Sequence, residues 1–219
     1  MKIGIMGGTF DPIHIGHLLL GEFAYEDFGL DEIWFLPNGN PPHKDSRAVG
    51  EDIEERVEMV RLAIHGVPYF RLSLYEATEH KESYTYQTMA YFKETYPEHD
   101  FYFILGADSL FSIEKWKYFR EIFPSCTILA AMRDDKDQED MERQIQYLTE
   151  KYEAKIALLK APLLEISSTT IRERAAKGLT VRYMLPDLVA KYIREKGFYK
   201  NGESENPGKA EKIAEKRTI

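Results

Sequence analysis

Two histidines near the start of the chain, His14 and His17, follow a pair of glycines and an Asp-Pro turn. The segment reads Met6-Gly7-Gly8-Thr9-Phe10-Asp11-Pro12-Ile13-His14-Ile15-Gly16-His17. An apolar strand precedes it, and a helical pattern begins after His17. Strand, glycine turn and helix N-terminus together bind phosphates well, because backbone N–H groups and the helix dipole favour anions. Since histidines three residues apart share one face of a helical turn, we interpret the segment as a nucleotide triphosphate site with an imidazole directed at the reacting phosphorus.

The same segment could also be a simple tight turn, a place for structural histidines or a metal-binding pair. The dinucleotide fingerprint Gly-x-Gly-x-x-Gly and the Walker lysine are both absent. A zinc site would need further ligands, and the sequence has no His-Glu-x-x-His motif and only one cysteine. Gly16 lacks a side chain, which would let a ligand or a strand lie against the helix. Glycine turn and paired histidines together favour phosphate contacts over these three roles.

A second group of polar residues reads Ile166-Ser167-Ser168-Thr169-Thr170-Ile171-Arg172 and opens another predicted helix. Ser168 is a good candidate for the N-cap. A capping cluster with a surface arginine would account for the pattern, but one cap needs only one hydroxyl. Hydroxyls, N–H groups at a helix start and Arg172 one turn later suit the β- and γ-phosphates of a nucleotide.

Further candidates follow other predicted strands. Lys44 lies in a proline-rich loop and is either a positioned cation or a solvated lysine, with Arg47 a weaker candidate. Asp108 caps a helix, binds a ribose hydroxyl or acts through water on Mg²⁺. Trp116, with Tyr118, either belongs to the core or forms an aromatic platform for a base or pyridine ring. The single cysteine, Cys126, is expected to be a buried strand residue, because no histidine or basic residue is its neighbour in sequence.

Strands and helices are predicted to alternate along the chain. The predicted strands are Lys2–Met6, Glu32–Leu36, Phe70–Leu74, Phe101–Leu105, Cys126–Met132 and Lys155–Leu159. The first predicted helix runs from after His17 to Phe28, and another begins in the segment 166–172. The other predicted helices are Glu51–His65, Thr85–Tyr96, Phe111–Phe119, Gln138–Tyr152 and Pro186–Lys196. The segment Glu76–Ser83 is expected to be polar and exposed. This alternation predicts an α/β fold, a Rossmann-like doubly wound and mostly parallel sheet with flanking helices.

Ligands of such sheets lie at the carboxyl ends of the strands. The unusual segments all follow predicted strand ends, namely Gly7–His17, Pro37–Lys44, Gly106–Asp108 and Ile166–Arg172. We therefore expect these segments, which are scattered in sequence, to converge into one active site.

The composition restricts the class of protein. The 219 residues are 43% hydrophobic and 30% charged, with a net charge of -8, which argues against a general nucleic-acid-binding face. No apolar run is long enough for a membrane span and no signal peptide is visible, so we expect a cytoplasmic protein without membrane partners. One domain is predicted over 1–199, followed by a polar, flexible tail at 200–219. A homodimer is one option, but no apolar stripe on the exposed helices specifies it.

The two polar motifs together carry a resemblance. Gly8-x-Phe10-Asp11-Pro12-x-His14-x-Gly16-His17 with Ile166-Ser167-Ser168-Thr169-x-Ile171-Arg172 resembles the His-x-Gly-His nucleotidyltransferases. Pro41-Pro42-His43-Lys44, Ser83-Tyr84-Thr85 and Gly106-Ala107-Asp108-Ser109 with Trp116 look like bacterial nicotinate mononucleotide adenylyltransferases. The resemblance covers residues 1 to about 199. It implies transfer of the adenylyl group of ATP to nicotinate mononucleotide, which gives deamido-NAD and pyrophosphate.

The resemblance also implies roles for individual residues. His17, which contacts the α-phosphate, His14 and Arg172 would be catalytic. The ATP-binding set would be Gly7, Gly8, Thr9, Phe10, His14, Gly16, His17, Gly106, Asp108, Ile166, Ser167, Ser168 and Arg172. The mononucleotide would be bound by Lys44, Tyr84, Thr85 and Trp116, with Arg133 a weaker phosphate candidate. Mg²⁺ would be the cofactor, held through the ATP phosphates and by no protein side chain.

Two rival functions fit parts of the pattern. Phosphopantetheine adenylyltransferases share the His-x-Gly-His motif, but they are shorter and need neither the Trp116 platform nor the loop 37–44. A non-catalytic nucleotide sensor could use the same fold, although both histidines and the Ser-Ser-Thr-x-x-Arg set are intact. Backbone N–H groups near Thr85 would prefer a nicotinate carboxylate over a nicotinamide amide, because an amide would point a donor at donors.

Overall fold

The centre of the fold is a parallel sheet. The computed structural model describes residues 1–39, 52–78, 83–132, 138–162 and 164–200. Within them, six parallel strands pair in the order β3-β2-β1-β4-β5-β6. The strands are β1 Lys2–Gly8, β2 Glu32–Pro37, β3 Phe70–Leu72, β4 Asp100–Gly106, β5 Thr127–Ala131 and β6 Ile156–Leu159. The predicted α/β fold with a parallel sheet is confirmed.

Helices cover both faces of this sheet. They are α1 Ile15–Phe28, α2 Ile53–Ala63, α3 Tyr75–Thr78, α4 Thr85–Thr95, α5 Ala107–Ser112, α6 Gln138–Tyr152, α7 Ser168–Ala176 and α8 Asp187–Lys196, with short 3₁₀ turns at Ile113–Lys115 and Phe119–Glu121. Apolar residues of α1, α2 and α8 share one core cluster, and those of α4, α5 and α6 share the other. None of the helices in the described ranges is long and apolar enough to cross a membrane.

The central strand β1 lies at the point where the strand order reverses. It pairs with β2 on one side and β4 on the other. Ile3 and Ile5 belong to one core cluster and Met6 to the other, so apolar side chains bury both faces of the strand. In open parallel sheets the crevice at this reversal, beyond the carboxyl ends of the strands, is where ligands bind. The glycine pair Gly7 and Gly8 forms that end of β1.

Several boundaries differ from the predicted ones. Helix α1 begins at Ile15 and not after His17, since His14 has the extended backbone of an N-cap. Strand β3 ends at Leu72, because it is the outermost strand and pairs with β2 alone. Helix α5 starts directly at Ala107, where the sequence predicts a helix from Phe111. The ends of elements are the hardest feature to read from periodicity, because one turn more or less leaves the apolar pattern unchanged.

The prediction that Glu76–Ser83 is an exposed polar segment is wrong for its first residue. Glu76 lies in the short helix α3 and is buried, with 8% of its surface exposed. The Thr88 hydroxyl donates a 2.6 Å hydrogen bond to Glu76 Oε1. This bond ties α3 to α4 and gives the buried carboxyl a partner, which periodicity could not foresee.

Candidate active site

The two histidines of the first motif lie against each other at the start of α1. Their rings stack with centroids 3.7 Å apart and an interplanar angle of 29°. The backbone N–H of His14 donates to Nδ1 of His17 at 3.2 Å. This arrangement follows from the spacing, because the N-cap residue and the third residue of a helix are close enough to bond reciprocally.

This hydrogen bond identifies the tautomer of the neutral His17 ring. A ring nitrogen that accepts a hydrogen bond from a backbone N–H does not carry the proton, so the neutral ring has its proton on Nε2. His17 Nε2–H is therefore suited to donate to an anionic oxygen.

The Phe10 ring packs against the His17 ring. It meets the His17 ring edge to face at 5.1 Å and lies 6.1 Å from the Phe35 ring. The Phe10 backbone is left-handed, with φ of 50°, and its side chain is buried. The resemblance places Phe10 in the ATP site. In the structure its side chain packs against the His17 ring.

The glycines of the first motif leave room for these rings. A Cβ atom at Gly8 would lie 3.0 Å from the Phe10 ring, and one at Gly16 would lie 3.1 Å from the His14 ring. Both distances are tighter than ordinary side-chain contacts, so the rings would have to shift. The glycines are thus explained by the histidine geometry as well as by the predicted approach of phosphate.

The second motif packs directly onto the first. Arg172 Nη1 donates to the backbone oxygen of Asp11 at 2.6 Å, although the two residues are 161 positions apart in sequence. Its guanidinium also pairs with the Asp11 carboxylate at 3.7 Å. Ser168 Oγ donates to the Pro12 oxygen at 2.9 Å. The predicted convergence of the two motifs is confirmed.

The N-cap of α7 is Ser167 and not Ser168, so that prediction is wrong. Ser167 Oγ accepts a hydrogen bond from the Thr170 backbone N–H at 3.1 Å. Ser168 occupies the first helical position, and its hydroxyl reaches the neighbouring loop instead. The choice between adjacent serines depends on where the chain turns, and the turn is set by contact with the first motif.

Asp11 and Tyr199 form a contact that sequence reasoning missed. The Tyr199 hydroxyl donates to Asp11 Oδ1 at 2.7 Å. Asp11 is 3% exposed and also pairs with Arg172. A buried carboxylate needs such partners to offset its loss of hydration. The segment after α8 thereby anchors the loop that leads into the two histidines.

Arg56 is a second residue that sequence reasoning missed. It lies on α2, is 2% exposed, and donates from Nη1 to the Thr9 oxygen at 2.6 Å and to the Asn38 oxygen at 2.9 Å. Its Nη2 approaches the Gly39 oxygen at 3.4 Å. Burial lowers the pKa of the Arg56 guanidinium, and the nearby Asp11 charge opposes this shift. The buried cation joins the loops that follow β1 and β2.

A partly open pocket of about 190 Å³ lies beside the end of β1. Its lining includes Gly7, Tyr84, Thr85 and Trp116, and also Glu76 and Lys117, which the sequence did not single out. The Trp116 ring meets Phe103 edge to face at 6.3 Å. This volume is below the roughly 300–1,000 Å³ of pockets for whole drug-sized ligands. It suits one aromatic ring with a small substituent, and three of the residues predicted to bind the mononucleotide line it.

The other predicted site residues are placed as follows. Gly106 is the N-cap of α5, and a Cβ atom there would meet no atom within 4 Å, so its surroundings are open. Asp108 is exposed in the first turn of α5. Ile166 packs against the core cluster of α1, α2 and α8. Lys44, Arg47 and Arg133 lie outside the described residues.

The described residues contain no group of three or more His, Cys, Asp or Glu side chains that could hold a metal ion. The interpretation of His14 and His17 as part of a zinc site therefore has no further ligands to support it in this part of the chain.

Buried Glu76 predicts a pH dependence of stability. Burial raises the pKa of this carboxyl, and the Thr88 hydrogen bond opposes the shift. A raised pKa in the folded state means that the folded chain binds more protons than the unfolded chain, so stability falls as pH rises through this range. We expect Glu76→Gln, which retains the oxygen acceptor, to match the parent chain near pH 4 and to become relatively more stable toward pH 7.

Urea unfolding at several pH values measures this difference. Glu94→Gln on the solvent side of α4 is the control for loss of one negative charge. A constant difference between the Glu76→Gln and parent chains across the pH range would contradict the prediction.

The fold and the site place the chain among the α/β proteins in which the central parallel strand ends in a glycine turn that leads into a helix. A family model described as cytidylyltransferase-like matches residues 5–174. A "Probable nicotinate-nucleotide adenylyltransferase" of Lachnoclostridium phytofermentans is 46% identical over 90% of this chain and 98% of its own length. Proteins with the same name from Exiguobacterium sibiricum and Clostridium perfringens are 41% and 39% identical over 91% of this chain, which spans 99% and 98% of their lengths.

Solved structures show the same fold. The nicotinic acid mononucleotide adenylyltransferase of Plasmodium falciparum, complexed with NaAD, superimposes with a TM-score of 0.74 at 23% identity, covering 90% of this chain and 97% of that one. The same enzyme complexed with APC gives a TM-score of 0.72 at 22% identity, with 90% and 96% covered. The chain therefore belongs to the cytidylyltransferase-like family and, within it, to the nicotinate-nucleotide adenylyltransferases.

Proposed function

We propose that this chain transfers the adenylyl group of ATP to nicotinate mononucleotide and releases pyrophosphate, with deamido-NAD as the other product. The observation that carries the proposal is the joining of the two motifs through Arg172, Ser168 and the 11–12 loop, next to a partly open pocket lined by Tyr84, Thr85 and Trp116. In this proposal the joined motifs bind phosphate and the adjacent pocket binds an aromatic ring. The names of the relatives at 39–46% identity support the same reaction.

The reaction needs no general base. The nucleophile is a phosphate oxygen of the mononucleotide, and a phosphomonoester loses its second proton near pH 6, so it is already anionic at neutral pH. This oxygen attacks the α-phosphorus of ATP, a P–O bond forms, and the bond to the pyrophosphate oxygen breaks. The protein must hold two polyanions together and stabilise the charge that develops in between.

In this proposal His17 donates from Nε2–H to an α-phosphate oxygen. Its orientation is held by the His14 N–H on Nδ1 and by the Phe10 ring. A donor that is already oriented stabilises developing charge without reorganisation during the reaction. His14 supports the site through the stacked ring and the backbone bond.

Arg172 and the start of α7 form the site for the leaving pyrophosphate in this proposal. The Arg172 side chain is 29% exposed, so part of the guanidinium faces solvent while Nη1 contacts the Asp11 oxygen. The N-terminus of α7 adds N–H groups and the positive end of the helix dipole. Gly106 and Asp108, at the end of the neighbouring strand β4, are proposed to face the adenosine.

The nicotinate carboxylate is proposed to lie at the start of α4. Thr85 is the first residue of that helix, and its N-cap Tyr84 makes no side-chain capping bond. The first turn also lacks an acidic residue. Backbone N–H groups at a helix start favour an anion. The NH₂ group of a carboxamide would point its own donors at these N–H groups.

Magnesium enters this proposal with the substrate, as the MgATP complex. In that complex the ion neutralises charge on the leaving pyrophosphate. The described residues offer no cage of their own for the ion. The location in the cytoplasm, the homodimer and the flexible tail at 200–219 stay predictions from the sequence.

A pyrophosphate-release assay tests the proposed function. The purified full-length chain is incubated with ATP, Mg²⁺ and one of three acceptors, which are nicotinate mononucleotide, nicotinamide mononucleotide and phosphopantetheine. We expect the highest kcat/KM with nicotinate mononucleotide. Preference for phosphopantetheine would replace the proposal by its nearest rival, and nucleotide binding without turnover would indicate a sensor.

Replacement of Arg172 by alanine should weaken the binding of ATP. Hydrogen bonds to charged groups contribute about 1.5–3 kcal/mol, so we expect the KM for ATP to rise about tenfold or more and product inhibition by pyrophosphate to weaken. The KM for nicotinate mononucleotide should change less. Arg174→Ala, on the same helix, is the matched control. Unchanged kinetics of Arg172→Ala would remove this residue from the site.

A further inference from the structure

Lys117 lies beside the proposed ring site. It directly follows Trp116 and lines the same partly open pocket as Tyr84 and Thr85. Its Nζ lies 4.1 Å from the centroid of the Tyr84 ring and 6.0 Å from that of Tyr118. A cation over an aromatic ring is held by the ring's negative face. Tyr84 is also the N-cap of α4, so the ammonium is positioned beside that helix start.

We propose that Lys117 is a specificity-determining residue, whose ammonium group selects a carboxylate over a carboxamide on the aromatic ring bound in this space. The inference rests on the proposed function, because the ring is the pyridine of the mononucleotide. Both mononucleotides carry the same positive charge on the ring nitrogen, so that charge cannot distinguish them. They differ only in the substituent, which is an anion in one and a neutral amide in the other.

The charges around this space favour the anion. Among the described residues that line it, the charged side chains are Lys117 and Glu76. Lys117 is exposed, whereas Glu76 is buried and accepts a hydrogen bond from the Thr88 hydroxyl. Burial raises the pKa of Glu76, so its negative charge opposes Lys117 less than that of an exposed carboxylate would.

The start of α4 adds further donors on the same side. Ser83 Oγ is buried, lines the space, and has no hydrogen-bond partner among the described residues. The first turn of α4 has no acidic side chain that would cancel the positive end of the helix dipole. Lys117 therefore strengthens a positive potential that the backbone alone supplies only in part.

The test compares the full-length parent chain with Lys117→Gln, Lys117→Arg and Lys115→Gln. Lys115 is exposed two residues earlier and does not line the space, so Lys115→Gln controls for the loss of one positive charge. The kcat/KM is measured for nicotinate and nicotinamide mononucleotides at saturating MgATP. The dissociation constant of each mononucleotide is measured separately by quenching of tryptophan fluorescence.

We expect Lys117→Gln to lower kcat/KM for nicotinate mononucleotide about fivefold, mainly through KM, because a solvent-exposed ion pair contributes up to about 1 kcal/mol. The value for nicotinamide mononucleotide should not change, Lys117→Arg should retain the preference, and Lys115→Gln should match the parent chain. An unchanged ratio between the two mononucleotides, or an equal loss for both, overturns the proposal for Lys117.

Failure of the proposed function gives a different result. In that case the parent chain releases no pyrophosphate with either mononucleotide. The binding measurement then still tests the role of Lys117. The role is supported if Lys117→Gln raises the dissociation constant of nicotinate mononucleotide and leaves that of nicotinamide mononucleotide unchanged. Equal dissociation constants in the parent and Lys117→Gln chains overturn it.

Discussion

Replacement of His17 by alanine is expected to lower kcat by about 10²–10³-fold and to change the KM for ATP far less. Loss of one oriented donor to developing negative charge has effects of this size in other enzymes. The donor is built in advance, since the His14 N–H contacts Nδ1 at 3.2 Å and Phe10 packs against the ring. Its benefit is therefore expected in the transition state more than in ground-state binding. Pyrophosphate release at saturating ATP and mononucleotide measures kcat.

His65→Ala is the matched control for this change. His65 is exposed beyond the end of α2 and does not belong to the first motif. The control should retain the parent kcat. A His17→Ala chain with near-normal kcat would show that His17 has no role in the chemical step.

Replacement of Arg56 by methionine should destabilise the fold and impair the site together. The guanidinium is 2% exposed and donates to the Thr9 and Asn38 backbone oxygens. Removal of the guanidinium takes the donor away from these backbone oxygens, and each lost hydrogen bond of this kind costs about 1–3 kcal/mol. For a domain of this size, such a loss lowers Tm by on the order of 10 °C. Differential scanning calorimetry measures the change.

The same substitution should also raise the KM for both substrates, because Arg56 joins the loops that follow β1 and β2. Arg61→Met on the same helix is the control, since Arg61 is exposed and pairs only with Glu58 among the contacts described for it. Arg56→Lys keeps the positive charge but changes the geometry of the donors. One ammonium group cannot reach the separate carbonyl oxygens that the planar guanidinium contacts. A Tm of Arg56→Met equal to that of Arg61→Met would contradict the role assigned to Arg56.

Much of the fold could be predicted because it depends on local patterns. The apolar runs at Glu32–Leu36 and Phe101–Leu105 lie within the observed strands β2 and β4, and helix α6 has the predicted bounds Gln138–Tyr152. Strands that alternate with helices leave few topologies, since right-handed crossovers and short connections are strongly preferred. The parallel sheet and the position of the motifs at strand ends follow from these rules.

The incorrect predictions for Ser168 and Glu76 have a common cause, which is contact between segments that are distant in sequence. The N-cap of α7 is Ser167 in place of Ser168 because the Ser168 hydroxyl bonds the Pro12 oxygen. Glu76 is buried because Thr88, on another helix, satisfies one of its oxygens. The neighbouring sequence predicts otherwise for both residues. A serine at a helix start usually bonds the nearby backbone, and a glutamate in a polar run is usually exposed to solvent.

Residue types at short, regular spacing were enough to predict the α/β class, the two motifs and the histidine pair. The groups that hold the motifs in place became visible only in the folded chain. Arg56, Tyr199 and Asp11 contact partners 47 to 188 positions away, and neither periodicity nor spacing encodes such pairs. Likewise, Lys117 is an ordinary surface lysine in the sequence. Its place over the Tyr84 ring depends on how α4 packs beside the end of the sheet.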